Sequence, residues 1–205
     1  LKANIVCLHT PLTRSGSHPT EHLFGRAQLD QLAPGTLLLN AGRGAVIDNQ
    51  ALDARLSESG DLKVALDVWE TEPRVDKSLL QRVDIATPHI AGHSVEGKLR
   101  GTQMIFDQFL AWSGALPHRQ NAPVGKAAEL ALKVTNNPLN SAILACYDVA
   151  VDDLNFRHAI NKSNDTAYVF DQFRKNYPFR HEFSYYRCPD VGCAADCLGI
   201  LGFAV

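Results

Sequence analysis

Hydrophobic positions in the first ninety residues follow two alternating rhythms. Short stretches that are apolar almost throughout, at 4–9, 36–40, 63–67 and 83–86, read as strands covered on both faces. Between them, residues 23–32 carry apolar positions at helical spacing. Asp48 is placed to cap a second helix over Asn49–Glu58, and Gly60 to end it. Strands apolar on both faces and separated by short helices predict a parallel, doubly wound α/β layout.

A long helix is predicted over 94–112, with Ser94 as its cap and Val95, Leu99, Thr102, Phe106, Phe109 and Leu110 on one stripe. Gly97 and Gly101 lie one turn apart on it, each costing about 1 kcal/mol relative to Ala, and close backbone packing is the expected compensation. After Gly114 the texture changes. Residues 116–138 contain Pro117, Pro123 and the turn signal Asn136-Asn137-Pro138, and ten of the sixteen aromatic residues fall between Tyr147 and Tyr186. Strands are expected at 144–150 and 183–187, and helices at 167–176 and from 191 onward. The boundary is placed near residue 116, giving domains 1–115 and 116–205.

Composition narrows the possibilities. Lys and Arg total 20 against 22 Asp and Glu, a net charge of −2, which argues against a nucleic-acid partner. Apolar residues at 45% suit a protein with a real core, and no apolar run approaches a bilayer's thickness, so no membrane role is expected. The cysteines Cys7, Cys146, Cys188, Cys193 and Cys197 lack paired metal-knuckle spacing and read as reduced thiols of a cytoplasmic protein, with no metal site. The chain opens on Leu1 and closes on the apolar run 198–205, so a piece of a longer protein is expected.

In an open parallel sheet, ligands bind beyond the carboxyl ends of the strands. There the sequence places His9-Thr10-Pro11-Leu12, Asn40-Ala41-Gly42-Arg43-Gly44, Asp67 to Pro73, and Thr87-Pro88-His89-Ile90-Ala91-Gly92-His93. Arginine, carboxylates and histidines converge on one edge. Such a set suits oxidation of an alcohol beside a carboxylate. Histidine takes the hydroxyl proton, a neighbouring carboxylate favours the protonated ring, and arginine grips the substrate carboxylate in bidentate fashion. The glycines flanking Arg43 are expected to admit cofactor or substrate close to the backbone. Taken singly, each residue also has a plainer reading: Arg43 as a surface turn, Glu72 as a solvated loop carboxylate, His89 as a hydrogen-bonded loop residue. Pro88 and Gly92 keep His89 and His93 in a loop and so argue against a metal pair.

Four motifs in order, His9 to Thr13, Asn40 to Asp48, Leu66 to Pro73 and Thr87 to Gly92, resemble the D-isomer-specific 2-hydroxyacid dehydrogenase family. The resemblance implies Arg43, Glu72 and His89 as catalytic residues. It implies contacts to NAD from Thr10, Ala41, Gly42, Arg43, Asp67 and Gly92, and to substrate from Arg43 and His93. Further along, Glu96-Gly97-Lys98, Arg100-Gly101-Thr102, Tyr147-Asp148-Val149, Asp152-Asp153, the segment 170–177, Arg180 and Glu182-Phe183-Ser184 are similar to the C-terminal dimerisation domain of a branch acting on a phosphorylated hydroxy acid. The implied architecture is the C-terminal half of a doubly wound, Rossmann-like parallel sheet followed by a smaller α+β dimerisation domain, assembled as a homodimer. The Gly-x-Gly-x-x-Gly fingerprint and an N-terminal substrate domain do not occur in the sequence, so the isolated chain is expected to be inactive. Two alternatives remain: another 2-hydroxyacid or phosphoglycerate-type dehydrogenase, and a non-catalytic dinucleotide-sensing scaffold of the same fold.

Overall fold

Four strands, β1 (Ile5–Leu8), β2 (Leu37–Asn40), β3 (Lys63–Leu66) and β4 (Ile85–Ala86), form a parallel sheet in that order. The computed structural model describes residues 3–115, 128–130, 137–188 and 195–204. Leu8, Asn40, Leu66 and Ala86 share one row of the register, so all four strands end level. The residues that follow leave the sheet along a single edge. Parallel strands need crossover connections, and these are α1 (Arg26–Leu29), α2 (Asn49–Glu58) and α3 (Lys77–Arg82). The result is an α/β nucleotide-binding fold of the Rossmann-like kind.

Local signals explain the helix starts. The Asp48 carboxylate accepts the Ala51 N–H at 2.9 Å, and the Asp76 carboxylate accepts those of Ser78 and Leu79. Gly60, with φ of +57°, takes the left-handed conformation just beyond α2. The helix expected over 23–32 shrinks to the single turn of α1. The reason is that Phe24 spends its backbone elsewhere: its N–H donates to the Val46 carbonyl at 3.0 Å, and its carbonyl accepts from Asp48 N at 3.1 Å.

The chain forms two compact units, Leu1–Ala91 with Val149–Tyr177, and Gly92–Asp148 with Pro178–Val205. This division differs from a single cut near residue 116, which itself lies outside the described residues. The cause is packing. Helices α6 (Val149–Lys162) and α7 (Thr166–Lys175) contribute Phe156, Ile160 and Phe170 to the buried core of the sheet, where Phe156 lies 6.4 Å from Trp69. On α6, Asp153 accepts the Ala86 N–H at 2.6 Å, and Arg157 donates to the carbonyls of Leu80 and Val83. Side chains of α6 thus satisfy backbone groups that the edge strand β4 and its approach would leave unpaired.

In the second unit, α4 (Val95–Ser113) starts at Ser94, whose Oγ accepts the Gly97 N–H at 3.0 Å. Its first turn is tied to a later segment: Val95 N–H donates to the Arg180 carbonyl, Glu182 N–H to Glu96, and His181 Nδ1 lies 2.7 Å from Glu96. The predicted stripe on α4 is not a core face among the described residues, because no residue of this helix is buried and Leu99, Phe106 and Phe109 are exposed. Gly97 does sit tightly, with Ser94 Oγ 2.6 Å from where a Cβ would stand, whereas Gly101 has nothing within 4 Å.

The strand expected at 144–150 is not formed. Residues Pro138–Cys146 form α5, capped by the Asn137 side chain on Asn140 N–H, and α6 follows directly. An apolar run alone does not separate strand from helix; Asn at the cap and Pro at the first helical position decide it. A parallel pair, β5 (Ala128–Glu129) with β6 (Tyr186–Arg187), and α8 (Ala195–Ile200) complete the unit around Ala142, Cys188, Leu198 and Phe203. Only 186–187 of the expected strand at 183–187 is extended, since Phe183–Tyr185 forms a 3-10 turn. Cys193 and the expected helix start at 191 lie outside the described residues. Burial pushes the Cys146 thiol up to about 12 and raises that of Cys188, which suits packed, unreactive thiols. Among the described residues, no helix is long and apolar enough to cross a membrane.

Because Phe156 is fully buried against Trp69 and Phe170, Phe156→Ala should cost about 3–5 kcal/mol in denaturant unfolding of the full-length protein. A loss below about 1 kcal/mol would show that α6 is not part of the sheet core.

Candidate active site

Each chain segment leaving the level edge of the sheet is locally braced. After β2, the buried Asn40 side chain accepts Gly42 N–H at 3.1 Å and donates to the Arg43 carbonyl at 3.0 Å, which fixes the turn carrying Arg43. The Arg43 side chain is exposed; one guanidinium N–H donates to the Gly42 carbonyl at 2.8 Å, and among the described residues it forms no ion pair. The flanking glycines let the chain pack closely on itself. A Cβ on Gly44 would stand 2.0 Å from the Trp69 carbonyl group, and one on Gly42 would stand 3.2 Å from His9 and Thr10 backbone atoms. These contacts draw the turns after β1, β2 and β3 together.

After β4, Asp67 organises the loop. Its carboxylate accepts the Thr87 hydroxyl at 2.6 Å and the N–H groups of Ile90 and Ala91 at 2.8 and 3.0 Å, while its carbonyl accepts the His89 N–H at 2.6 Å. Held in this way, His89 adopts φ of +57°, a region that non-glycine residues seldom occupy. Its ring reaches Glu72, with Nδ1 2.7 Å from Oε1. Both side chains are about one quarter exposed. With Nδ1–H donating to the carboxylate, Nε2 is left as the acceptor nitrogen.

Burial pushes the Glu72 carboxyl upward. The hydrogen bond and charge of His89, the Trp69 N–H and the positive charge of Arg174 more than offset this, and the carboxyl ends below its ordinary value. Glu72 is therefore an anion over the neutral pH range. Glu70, the other carboxylate of the segment, faces elsewhere. It pairs with His22 at 2.6 Å and accepts the Asn49 N–H at 2.8 Å.

The structure therefore brings Glu72 and His89 into contact and places Arg43, Asp67 and Thr10 on the same sheet edge. Gly92 and His93 fall in the second unit, where Gly92 is exposed and His93 half-buried. The Thr10 hydroxyl is buried with no hydrogen-bond partner among the described residues, an orphan that a bound polar ligand would satisfy. Ala41 and Gly42 follow β2 directly and present backbone beside it. These residues fit a dinucleotide at this edge. The organising roles of Asn40, Asp67 and Glu70 are tertiary, although Asn40 and Asp67 do stand at strand ends in the sequence.

Residues 1–91 match the family model of the D-isomer specific 2-hydroxyacid dehydrogenase, NAD binding domain, and residues 121–201 match a domain of unknown function, DUF3410. Among similar proteins, the erythronate-4-phosphate dehydrogenase of Chromohalobacter salexigens is 45% identical over 100% of this chain and 55% of its own length. That of Pseudomonas aeruginosa is 45% identical over 94% of this chain and 53% of its own, and that of Marinobacter nauticus 42% identical over 90% and 50%. The chain thus spans about half the length of the curated relatives it matches. The cofactor of the matched domain is NAD.

Two predictions follow from the bracing. Gly44→Ala should destabilise the protein by about 3 kcal/mol or more, since backbone rather than a flexible side chain blocks the new methyl; a melting point within two degrees of the parent protein's would refute the contact. His22 concerns pH. Its hydrogen bond with Glu70 holds the imidazole above the usual histidine range against a smaller effect of burial, with the Glu70, Asp48 and Glu21 charges adding. A group raised in this way stabilises fully below its unfolded value near 6.5, and the gain fades as pH rises through the folded value. His22→Asn, which tolerates the native φ of +50°, should therefore cost more at pH 5.5 than at pH 8.5. The difference stays below about 1 kcal/mol because the ring is half-exposed. Equal costs at the two pH values would exclude the linkage.

Proposed function

We propose that this chain supplies the acid–base and carboxylate-binding machinery of an NAD-dependent dehydrogenase. The reaction is oxidation of 4-phospho-D-erythronate to 3-hydroxy-2-oxo-4-phosphooxybutanoate, a step toward pyridoxal 5'-phosphate. The observation that carries this reading is the 2.7 Å contact between His89 and Glu72 at the level edge from which Arg43 also emerges. The family and the names of its relatives support the substrate class.

In this reading, Nε2 of His89 takes the proton of the substrate C2 hydroxyl, and the Glu72 carboxylate stabilises the imidazolium so formed. Arg43, free of any protein carboxylate among the described residues, binds the substrate carboxylate through paired N–H donors and polarises the forming carbonyl. Thr10, Ala41, Gly42, Asp67 and Gly92 hold the dinucleotide, the orphaned Thr10 hydroxyl finding its partner there. When bound, NAD supplies the hydride acceptor. Asp67 already uses both carboxylate oxygens within the protein, so its contact to the cofactor draws on a remaining lone pair. His93 is the proposed further contact to substrate.

The test is His89→Asn in the full-length protein, Asn being the replacement best suited to the left-handed backbone. Turnover should fall by about 100- to 10,000-fold while NADH affinity, read by fluorescence, changes little. Retained turnover would overturn the role of His89.

A further inference from the structure

The first turn of α4 is lashed to the segment 180–182 more heavily than a helix start requires. Both lie in the second unit, and 180–182 falls within the stretch that matches a domain of unknown function. The Glu96 carboxylate holds that segment with both oxygens, Oε1 lying 2.7 Å from His181 Nδ1 and Oε2 accepting the Glu182 N–H at 2.8 Å. The His181 ring is itself fixed, stacked on Tyr185 with 3.7 Å between ring centres. Alongside these bonds, Val95 N–H donates to the Arg180 carbonyl at 2.9 Å. The segment returns the grip through Glu182, whose Oε1 accepts the hydroxyl of Ser94. Ser94 is almost fully buried, and its Oγ also accepts the Gly97 N–H, so one side chain both caps the helix and ties it to Glu182.

A cap needs only the bond to Gly97, and the link to Glu182 calls for another reason. Gly97 shows how close the parts are. A Cβ there would stand 2.6 Å from Ser94 Oγ, 3.3 Å from the Gly92 carbonyl oxygen and 3.6 Å from Glu182 Oε1. The residues on either side of His93 therefore both lie against Gly97, beside the Glu182 carboxylate. This close approach accounts for a helical glycine that costs about 1 kcal/mol relative to Ala.

We propose that Glu182 is a positioning residue for His93: by holding the Ser94 hydroxyl, it fixes the start of α4 and with it the imidazole that stands just before the helix. The proposal rests on the reading of His93 as a substrate contact. It gives a segment of the uncharacterised domain a part in substrate binding that requires no contact with substrate.

The experiment uses the full-length protein with Glu182→Ala; Glu182 is exposed, so its truncation opens no core cavity. KM for 4-phosphoerythronate should rise about fivefold, with kcat within about twofold and NADH affinity unchanged. Glu182→Gln, which keeps an oxygen to accept the Ser94 hydroxyl, should restore most of the loss. In a His93→Ala background the same truncation should change KM by less than about twofold, because its effect passes through that ring. A full effect there would overturn the proposal, since Glu182 would then act without His93. The His93 ring signals, followed by NMR without turnover, should shift or broaden in Glu182→Ala. They should do so even if His93→Ala leaves KM unchanged, a result that would sink the substrate-contact reading alone. Unmoved ring signals in a folded variant would overturn the proposal. If Glu182→Ala does not fold, Ser94→Ala removes the same bond from the other side and carries the same measurements.

Discussion

The carboxylate of Asp67 is the fastening on which the site depends. It is almost fully buried, and a carboxylate in that position must be met by donors. It is met by three, all from the loop after β4: the Thr87 hydroxyl and the N–H groups of Ile90 and Ala91. That loop has no regular structure of its own to hold it. Without these bonds, nothing in the local sequence would keep His89 in a left-handed conformation with its ring toward Glu72. The strain at one residue is sustained because its neighbours on both sides are tied to the same side chain.

A second constraint acts through backbone contact. Gly44 lets the turn after β2 lie against the Trp69 carbonyl, and Gly42 lets it lie against His9 and Thr10. Three segments from different strands are drawn together by surfaces without side chains, while Asn40 and Asn49 satisfy the polar groups that such contact leaves over. Among the described residues the arginine meets no carboxylate, and its guanidinium is held by the Gly42 carbonyl of its own turn.

Helices α6 and α7 belong physically to the sheet. Asp153 and Arg157 meet the backbone groups of β4 and its approach, and Phe156 and Phe170 fill the core beside Trp69. A core shared in this way explains why residues far along the chain pack beside Trp69. It also explains why the chain passes three times between its compact units instead of once.

Several features were legible in the sequence because their causes are local. Continuous apolar runs gave the four strands, Asp48 and Ser94 gave the helix starts, and the strand-end positions of Arg43, Glu72 and His89 followed from parallel topology together with the family motifs. What only the tertiary structure decided was non-local. The helix at 138–146 displaced an expected strand, the stripe on α4 proved exposed, and the glycines beside Arg43 turned out to admit the protein's own backbone. The bond between Glu72 and His89 joins residues 17 positions apart, counted from 72 to 89. Hydrophobic periodicity reports which face of an element is apolar, but carries no term for which distant element will cover it.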